Sequence, residues 1–211
     1  MRTLLGDSLP LSTLVISPRG GGKTTVAHAL AKALPRLVII DTMNEPAYVR
    51  AGIHVNDVMA LHDFITTHKR FRIVYAPNDP EDVEMILQSV LTTCDLVLLV
   101  EEVSQYAGVD APASTRRMFK RFVRLARHRR VKLIGTTQRP ADIDKLLVSE
   151  SEILLGSLKE PNDRRYLRDL GNLDRETVDS LVDLPDFHFV HFPSKDVFKL
   201  QDAPGFGDQP E

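Results

Sequence analysis

The sequence contains little cysteine, no long apolar run and no excess of positive charge. Its 211 residues include one cysteine, Cys94, which excludes a disulfide within the chain and is typical of a reducing compartment. No segment approaches the roughly 20 consecutive apolar residues that a membrane-spanning helix needs. The formal net charge of −2 excludes a general polycation, so any nucleic-acid binding would depend on a local basic patch. We therefore expect a soluble, cytoplasmic protein without direct membrane insertion.

Short apolar runs alternate with helical patterns over residues 12–160. Most runs are continuous rather than alternating, as expected for strands that are buried on both faces of a sheet. Repeated strand–helix units favour right-handed crossovers and therefore a parallel sheet. The predicted strands are Leu14–Ser17, Leu37–Asp41, Phe71–Ala76, Leu96–Val100, Val131–Thr136 and Ile153–Ser157. The predicted helices are Lys23–Leu34, Val58–Lys69, Pro80–Thr93, Ser114–Arg129 and Ala141–Ser149.

The pattern changes after residue 160, although the length of the chain still suits one domain with a substantial core. We expect a single domain over residues 1–200 and a flexible tail at residues 201–211, which hold glycine, proline and acids. The last part of the domain is predicted to contain short helices at Glu160–Leu170 and Arg175–Val182, and a hairpin or two edge strands at Phe187–Phe192 and Val197–Leu200.

A glycine-rich loop follows the first predicted strand. Three consecutive glycines precede Lys23, where a helical pattern begins. Glycines let backbone N–H groups point inward at phosphate oxygens, and the amino-terminal end of a helix adds positive potential. This is the strand–loop–helix context of a Walker A phosphate loop, although Ser17 stands where the usual pattern has its first glycine. The predicted nucleotide-binding residues are Arg19, Gly20, Gly21, Gly22, Lys23, Thr24 and Thr25.

Two adjacent acids follow the apolar strand Leu96–Val100. In a Walker B arrangement the first acid holds Mg²⁺ through water, and the second orients and deprotonates the water that attacks ATP. We therefore predict that Glu101 and Glu102 are catalytic and that Thr24 and Glu101 are the metal residues, with Lys23 on the β- and γ-phosphates. The first acid is usually aspartate, so Glu101 is one methylene longer than the usual residue.

Residues 111–141 contain no acidic residue. In the predicted helix over Ser114–Arg129, apolar side chains share one face and basic side chains occupy the other. A solvated helix face usually mixes both signs of charge, so this face is expected to meet phosphate or a neighbouring subunit, with solvent alone as the alternative. The basic residues of this helix are Arg116, Arg117, Lys120, Arg121, Arg124 and Arg127.

The next predicted strand, Val131–Thr136, leads into Thr137, Gln138, Arg139 and Pro140. A polar residue at the tip of a neighbouring strand can lie beside the γ-phosphate. Gln138 is therefore predicted to sense that phosphate or to hold the attacking water.

Three segments resemble the FtsK–HerA superfamily of P-loop ATPases. RLARHRRVKLIGTTQRPADID resembles its arginine-containing helix and following strand, LVIIDTMNEPAYV its second strand, and LVLLVEEVSQY its Walker B segment. An additional predicted strand, Phe71–Ala76, separates the phosphate-loop unit from the acidic strand, which resembles the additional-strand catalytic-glutamate division. The resemblance implies a three-layer α/β P-loop NTPase fold with a mainly parallel central sheet.

Members of this superfamily are ring-forming motors that pump double-stranded DNA. The resemblance therefore implies a homo-oligomeric, hexameric ring that hydrolyses ATP at subunit interfaces, with an arginine finger from the neighbour, for which Arg124 is the candidate. A motor core without further domains resembles the genome-packaging ATPases of membrane-containing viruses. That likeness implies a capsid or portal protein as a further partner, and a location in the host cytoplasm or at the virion vertex.

Two other functions stay open. A P-loop kinase or nucleotide switch that acts on a small molecule or a protein would need an arginine-rich lid, for which residues 160–170 are the candidate. A phage-assembly ATPase of the zonula-occludens-toxin-like type would bind ATP with almost no turnover. The acidic pair favours hydrolysis, because kinases rarely keep a water-activating acid there. For a motor, the segments Ser104–Thr115 and Thr137–Asp144 are candidate DNA-contacting loops.

Overall fold

A computed structural model of the chain describes residues 10–32, 34–77, 79–169 and 173–200. The predicted flexible tail at residues 201–211 lies outside the described residues. The strands are β1 (Ser12–Ile16), β2 (Arg36–Ile40), β3 (Ile53–Val55), β4 (Phe71–Tyr75), β5 (Val97–Val100), β6 (Lys132–Thr137), β7 (Glu152–Leu155), β8 (His188–Phe192) and β9 (Val197–Lys199). The helices are α1 (Lys23–Ala31), α2 (Val58–Thr67), α3 (Pro80–Thr92), α4 (Ser104–Ala107), α5 (Ala113–Ala126), α6 (Lys145–Ser149), α7 (Pro161–Asp169) and α8 (Arg175–Ser180).

All of these strands form one sheet of nine strands in the order β3-β4-β2-β5-β6-β1-β7-β8-β9. The neighbours from β3 to β7 run parallel, and β8 and β9 add an antiparallel ribbon at one edge. The predicted mainly parallel α/β sheet and the predicted terminal hairpin are therefore confirmed. Within the described ranges, no helix combines the length and the apolar character that crossing a membrane requires.

The central strands are apolar along their whole length because both faces of the sheet are covered. Successive side chains of a strand point to opposite faces. In β2, Val38 and Ile40 join a core cluster with residues of α2, α3 and α5, whereas Leu37 and Ile39 join a second cluster with residues of α1. The sheet is thus the middle layer of three, as the continuous apolar runs predict.

The order of strands in the sheet differs from their order along the chain. The strand between β1 and the acidic strand β5 is β6, whereas β4 lies on the far side of β2. The expectation that Phe71–Ala76 separates the phosphate-loop unit from the acidic strand holds along the chain, and in the sheet the inserted strand is β6. Crossover helices allow a strand to be placed several positions away from its predecessor, so chain order alone does not give sheet order.

Two short elements and one boundary were not expected. The strand β3 has three residues at the sheet edge, and α4 has four, so neither is long enough to show a clear period. The candidate loop Ser104–Thr115 therefore contains α4 and the start of α5. The predicted helix Ala141–Ser149 is shorter, because Pro140–Asp142 forms a separate 3-10 turn before α6.

Aspartate side chains fix the start of four helices. Asp57, Asp79, Asp144 and Asp174 each accept a hydrogen bond from a backbone N–H in the first turn of α2, α3, α6 and α8, respectively. The helix α1 differs, since Gly22 precedes it and provides no side-chain cap. The first N–H groups of α1 therefore remain for another acceptor.

The packing of α5 on the sheet generates a stability prediction. Phe122 is fully buried and packs edge-on against Phe119, with ring centroids 5.9 Å apart. The substitution Phe122→Ala is expected to lower the free energy of unfolding by about 3–5 kcal/mol, because it leaves a cavity beneath α5. Denaturant titration measures the loss, and Arg117→Ala on the exposed face of the same helix is the control. A loss below about 1 kcal/mol would contradict this packing.

Candidate nucleotide-binding site

The phosphate loop connects β1 directly to α1. Gly20 and Gly22 have φ angles of 79° and 90°, in the left-handed region that favours glycine. Gly21 is constrained by space instead, since a Cβ atom there would overlap the hydroxyl of Ser17. The Gly21 N–H donates to the Pro18 carbonyl at 3.0 Å, which closes the turn. Gly20 and Gly22 are therefore favoured by their backbone conformation, and Gly21 by the lack of space for a side chain.

Ser17 takes the place of the first glycine of the usual pattern without opening the loop. Its backbone N–H donates to the Thr137 carbonyl at 3.2 Å, and its side chain is almost fully buried. The small hydroxymethyl group fits between Gly21 and Gly156, because a Cβ atom on Gly156 would lie 2.5 Å from the Ser17 hydroxyl oxygen. The sequence analysis did not identify Gly156, since it lies far along the chain after β7.

The predicted metal residues lie in direct contact. The Thr24 hydroxyl donates to Oε1 of Glu101 at 2.9 Å, and Lys23 beside it is 8% exposed. Because the Thr24 hydroxyl donates its hydrogen bond to Glu101, the lone pairs of its oxygen stay available to a cation. These oxygen ligands fit Mg²⁺, which favours a few protein oxygens together with phosphate and water. No group of three or more His, Cys, Asp or Glu residues suited to a metal occurs among the described residues.

Tyr48 completes the surroundings of Glu101, and the sequence analysis gave it no role. Its hydroxyl donates to Oε2 of Glu101 at 2.8 Å from the 3-10 turn after β2. Burial raises the pKa of Glu101, while the hydrogen bonds from Tyr48 and Thr24 and the charge of Lys23 oppose that rise. Burial and the Glu101 carboxylate raise the pKa of Tyr48 well above its usual value, so Tyr48 remains a donor. The only sequence signal was the presence of this tyrosine in the segment LVIIDTMNEPAYV.

The second acid of the pair points toward β6. Oε1 of Glu102 accepts from the Thr137 hydroxyl at 3.1 Å and from the Ser104 hydroxyl at 2.8 Å. Oε2 accepts from Nε2 of Gln138 at 3.2 Å. Glu102 itself has a φ of 51°, and its N–H donates to the Thr136 hydroxyl at 3.0 Å. The structure therefore brings Glu102 and Gln138 together, at the carboxyl ends of β5 and β6.

The adjacent acids thus have different surroundings. Glu101 is 1% exposed and faces the phosphate loop, whereas Glu102 is half-buried at the carboxyl ends of β5 and β6. A carboxylate that is enclosed beside a hydroxyl and a lysine suits the support of a cation, and one that is partly open to solvent suits contact with water.

Asp41 has a structural role in the same region. Both of its carboxylate oxygens accept from the Glu45 N–H at 3.0 Å, so it stabilises the turn that carries Tyr48. Burial raises the pKa of Asp41, while these backbone hydrogen bonds lower it. The residue therefore acts as a cap at a strand end.

The remaining predicted residues are placed differently. Thr25 lies in the first turn of α1, and Arg19 is an exposed residue of the phosphate loop. Arg124 is exposed in the last turn of α5, shortly before the chain returns to the start of β6. The phosphate loop lies beside the carboxyl end of β6, whereas Arg124 lies near the amino end of that strand. Arg124 therefore does not join the site of its own chain.

This combination of a phosphate loop at the start of α1 and an acidic pair on a buried parallel strand defines a P-loop ATPase. The chain belongs to the AAA family, the ATPase family associated with various cellular activities, whose pattern matches residues 13–156. No curated protein matches the sequence.

Solved structures show the same fold. The genome-packaging NTPase B204 of Sulfolobus turreted icosahedral virus 2, in complex with ATP-gammaS, superposes with a TM-score of 0.70 at 16% identity, covering 90% of this chain and 96% of that one. B204, described as the DNA-packaging ATPase of Sulfolobus turreted icosahedral virus, gives a TM-score of 0.67 at 17% identity over 89% and 95% of the two chains. VirB4 of Thermoanaerobacter pseudethanolicus gives 0.62 at 13% identity over 92% and 90%. The protein is thus a P-loop ATPase that resembles viral packaging ATPases in fold.

The hydrogen bond from Tyr48 to Glu101 generates a prediction about pH. The substitution Tyr48→Phe keeps the ring and removes a donor from a buried carboxylate, so it is expected to cost about 1.5–3 kcal/mol of unfolding free energy once that carboxylate is ionised. Because the pKa of Glu101 is raised in the folded chain, the carboxylate ionises only as pH rises through that pKa. The loss is therefore expected to be small in acid, where Glu101 is protonated, and to grow as pH increases.

The matched control is Tyr166→Phe. The Tyr166 hydroxyl donates to the Ile143 carbonyl at 2.8 Å, an uncharged acceptor, so its loss is expected to be about 0.5–1.5 kcal/mol and independent of Glu101 ionisation. Denaturant titrations of both variants across pH measure the difference. A Tyr48→Phe loss that stays constant with pH would show that Tyr48 does not support the ionised form.

Proposed function

We propose that this protein is an ATP-hydrolysing motor of the FtsK–HerA superfamily that translocates double-stranded DNA and packages a viral genome into a capsid. The observation that carries the proposal is the arrangement of Glu102, whose carboxylate is held by Gln138 and Thr137 next to the phosphate loop. An acid in this position serves hydrolysis, because it can orient water toward the terminal phosphate.

The residues have distinct tasks in the proposed reaction. The loop N–H groups and the Lys23 ammonium bind the triphosphate and balance its charge. Thr24 and Glu101 would hold Mg²⁺, which neutralises charge on the phosphates when bound. Glu102 orients the attacking water and accepts its proton, and the Gln138 amide keeps Oε2 of Glu102 aimed at that water.

Arg124 is proposed to act on a neighbouring subunit. Its position near the amino end of β6 prevents it from reaching the triphosphate of its own chain. A homo-oligomeric ring would instead place this surface of one subunit against the next subunit. An arginine from the neighbour would balance the charge that develops on the terminal phosphate. We propose a hexameric ring, with the number of subunits taken from the resemblance to the FtsK–HerA superfamily.

A basic stripe on α5 supports contact with a polyanion. Arg117 and Arg121 are exposed and lie one turn apart on the same helical face, and none of the ion pairs of the described chain involves them. Two other basic residues of α5 are engaged, since Lys120 pairs with Asp144 at 2.8 Å and Arg116 donates to the Val109 carbonyl. Unpaired arginines of this kind suit phosphate contacts that carry no sequence information.

The two candidate DNA-contacting loops form one unit. Gly108 and Ile143 make an antiparallel bridge, and the Asp144 N–H donates to the Ala107 carbonyl at 2.9 Å. These loops contain one basic residue, Arg139, and it pairs with Asp163 at 3.3 Å. We propose that the joined loops move with Gln138 when the nucleotide changes, while the α5 stripe supplies most of the charge that binds DNA.

The kinase alternative is less well supported. Its candidate lid is largely the helix α7, in which Arg164 donates to the Leu158 and Lys159 carbonyls and Arg168 pairs with Asp179 at 3.2 Å. Arginines that are engaged in this way are not held ready for a phosphate. For the motor we propose a capsid or portal protein as partner, and the host cytoplasm or virion vertex as location.

The role of Glu102 generates a prediction about chemistry. Glu102→Gln is expected to retain ATP binding and to lower turnover by about 10²–10⁴, because the amide cannot accept the proton of water. Lys23→Ala is expected to lose both binding and turnover. A fluorescent ATP analogue measures binding, and phosphate release measures turnover. Wild-type turnover in the Glu102→Gln variant would exclude this residue as the base.

The basic stripe generates a prediction about DNA. Duplex DNA is expected to raise ATP turnover at low salt, and Arg117→Ala is expected to weaken DNA binding and to reduce its salt slope by about one. Arg130→Ala is the control, because it removes an arginine that already pairs with Asp95.

Three results would contradict the motor. Turnover that ignores DNA at low salt would favour an assembly ATPase, as would binding of ATP with almost no turnover. Transfer of the phosphoryl group to an added acceptor would favour a kinase. Light scattering with and without an ATP analogue tests the ring directly.

A further inference from the structure

An exposed phenyl ring lies beside the last glycine of the phosphate loop. Phe187, in the turn before β8, is 47% exposed, and a Cβ atom on Gly22 would lie 3.2 Å from its Cδ1 atom. We propose that Phe187 stacks against the adenine base of the bound nucleotide, so that the β8 turn forms the base-binding part of the site. This inference rests on the proposed ATPase function and names a residue that the catalytic groups do not include.

The order of strands places this ring at the correct end of the triphosphate. Glu102 and Gln138 follow the carboxyl ends of β5 and β6, and both strands lie on the same side of β1. These residues therefore define the side of β1 on which the terminal phosphate would lie. The strands β7, β8 and β9 lie on the other side of β1. A triphosphate stretched over the loop with its terminal phosphate near Glu102 therefore directs the nucleoside toward the β8 turn and Phe187.

The backbone holds the ring in this exposed position. Phe187 has a φ of 61°, which is rare for an aromatic residue and tends to occur where function requires it. The Leu200 N–H donates to the Phe187 carbonyl at 2.7 Å, and Leu200 also packs against Gly22. Below the turn, Phe189 and Phe198 are buried and stacked, with ring centroids 5.8 Å apart. The turn is thus anchored by its neighbours while its own ring faces outward.

The chemistry of the ring indicates the class of ligand. A flat π surface that is open on one side favours the face of a purine base, and a base stacks without the need for hydrogen bonds to its edge. Such a contact acts on the base and not on the phosphates. It therefore separates the affinity for ATP from the affinity for inorganic tripolyphosphate.

The experiment measures binding of Mg²⁺-ATP and Mg²⁺-tripolyphosphate by calorimetry. Phe187→Ala is expected to weaken ATP binding about tenfold and to leave tripolyphosphate binding unchanged. Phe187→Leu, which keeps an apolar contact with Gly22, is expected to show the same selective loss even if the alanine variant folds poorly. Val197→Ala is the matched control, because it alters another exposed apolar residue of the β8–β9 ribbon and is expected to change neither affinity.

A fluorescent variant gives an independent readout. The chain contains no tryptophan, so Phe187→Trp places its single tryptophan in the turn, where the indole emission can be followed selectively. Its emission is expected to change when ATP is added and to stay constant with tripolyphosphate. An indole that stacks on the base should also retain ATP affinity close to that of the wild type.

Several outcomes would overturn the inference. They are wild-type ATP affinity in both Phe187→Ala and Phe187→Leu, equal losses for ATP and tripolyphosphate, or a loss of self-association with unchanged ATP affinity. The proposed function fails in a different way, since the wild type would then bind neither ligand or would bind ATP without hydrolysis.

Discussion

The site depends on the support of one carboxylate inside the protein. Glu101 is almost fully buried, and burial by itself favours its neutral form. Three hydroxyl groups and one ammonium group oppose that preference, and they come from separate parts of the chain: Tyr48 from the turn after β2, Thr24 and Lys23 from α1, and Thr136 from β6. The carboxylate therefore joins the phosphate loop, the acidic strand and the second strand unit in one hydrogen-bonded group.

Sequence patterns predicted the parts of the fold that repeat strongly. The continuous apolar strands, the glycine loop before Lys23 and the acidic pair Glu101–Glu102 each follow from simple physical requirements, and each lies where it was expected. The contact between Glu102 and Gln138 was also foreseeable, because the carboxyl ends of parallel strands share one edge. The chain order of strands could not give their order in the sheet, so the placement of β6 between β1 and β5 emerged only from the structure.

The residues that sequence analysis missed act through space instead of through a local pattern. Tyr48 contacts an acid 53 positions away, and Gly156 matters because Ser17 packs against it. Phe187 lies in a turn near the end of the described chain, and no motif connects it with the phosphate loop. Arg124 shows the converse case, since its type and context were noticed in the sequence but only the fold places it away from its own site.

In the proposed ring, that placement would make protein concentration a variable of catalysis. Each active centre of that ring would combine the phosphate loop of one subunit with Arg124 of another. An isolated subunit at low concentration would therefore bind ATP without hydrolysing it. Assembly of the ring would then activate hydrolysis, and ATP would be hydrolysed only where subunits assemble. For the proposed role in genome packaging, such a dependence would confine ATP consumption to the place where the ring assembles.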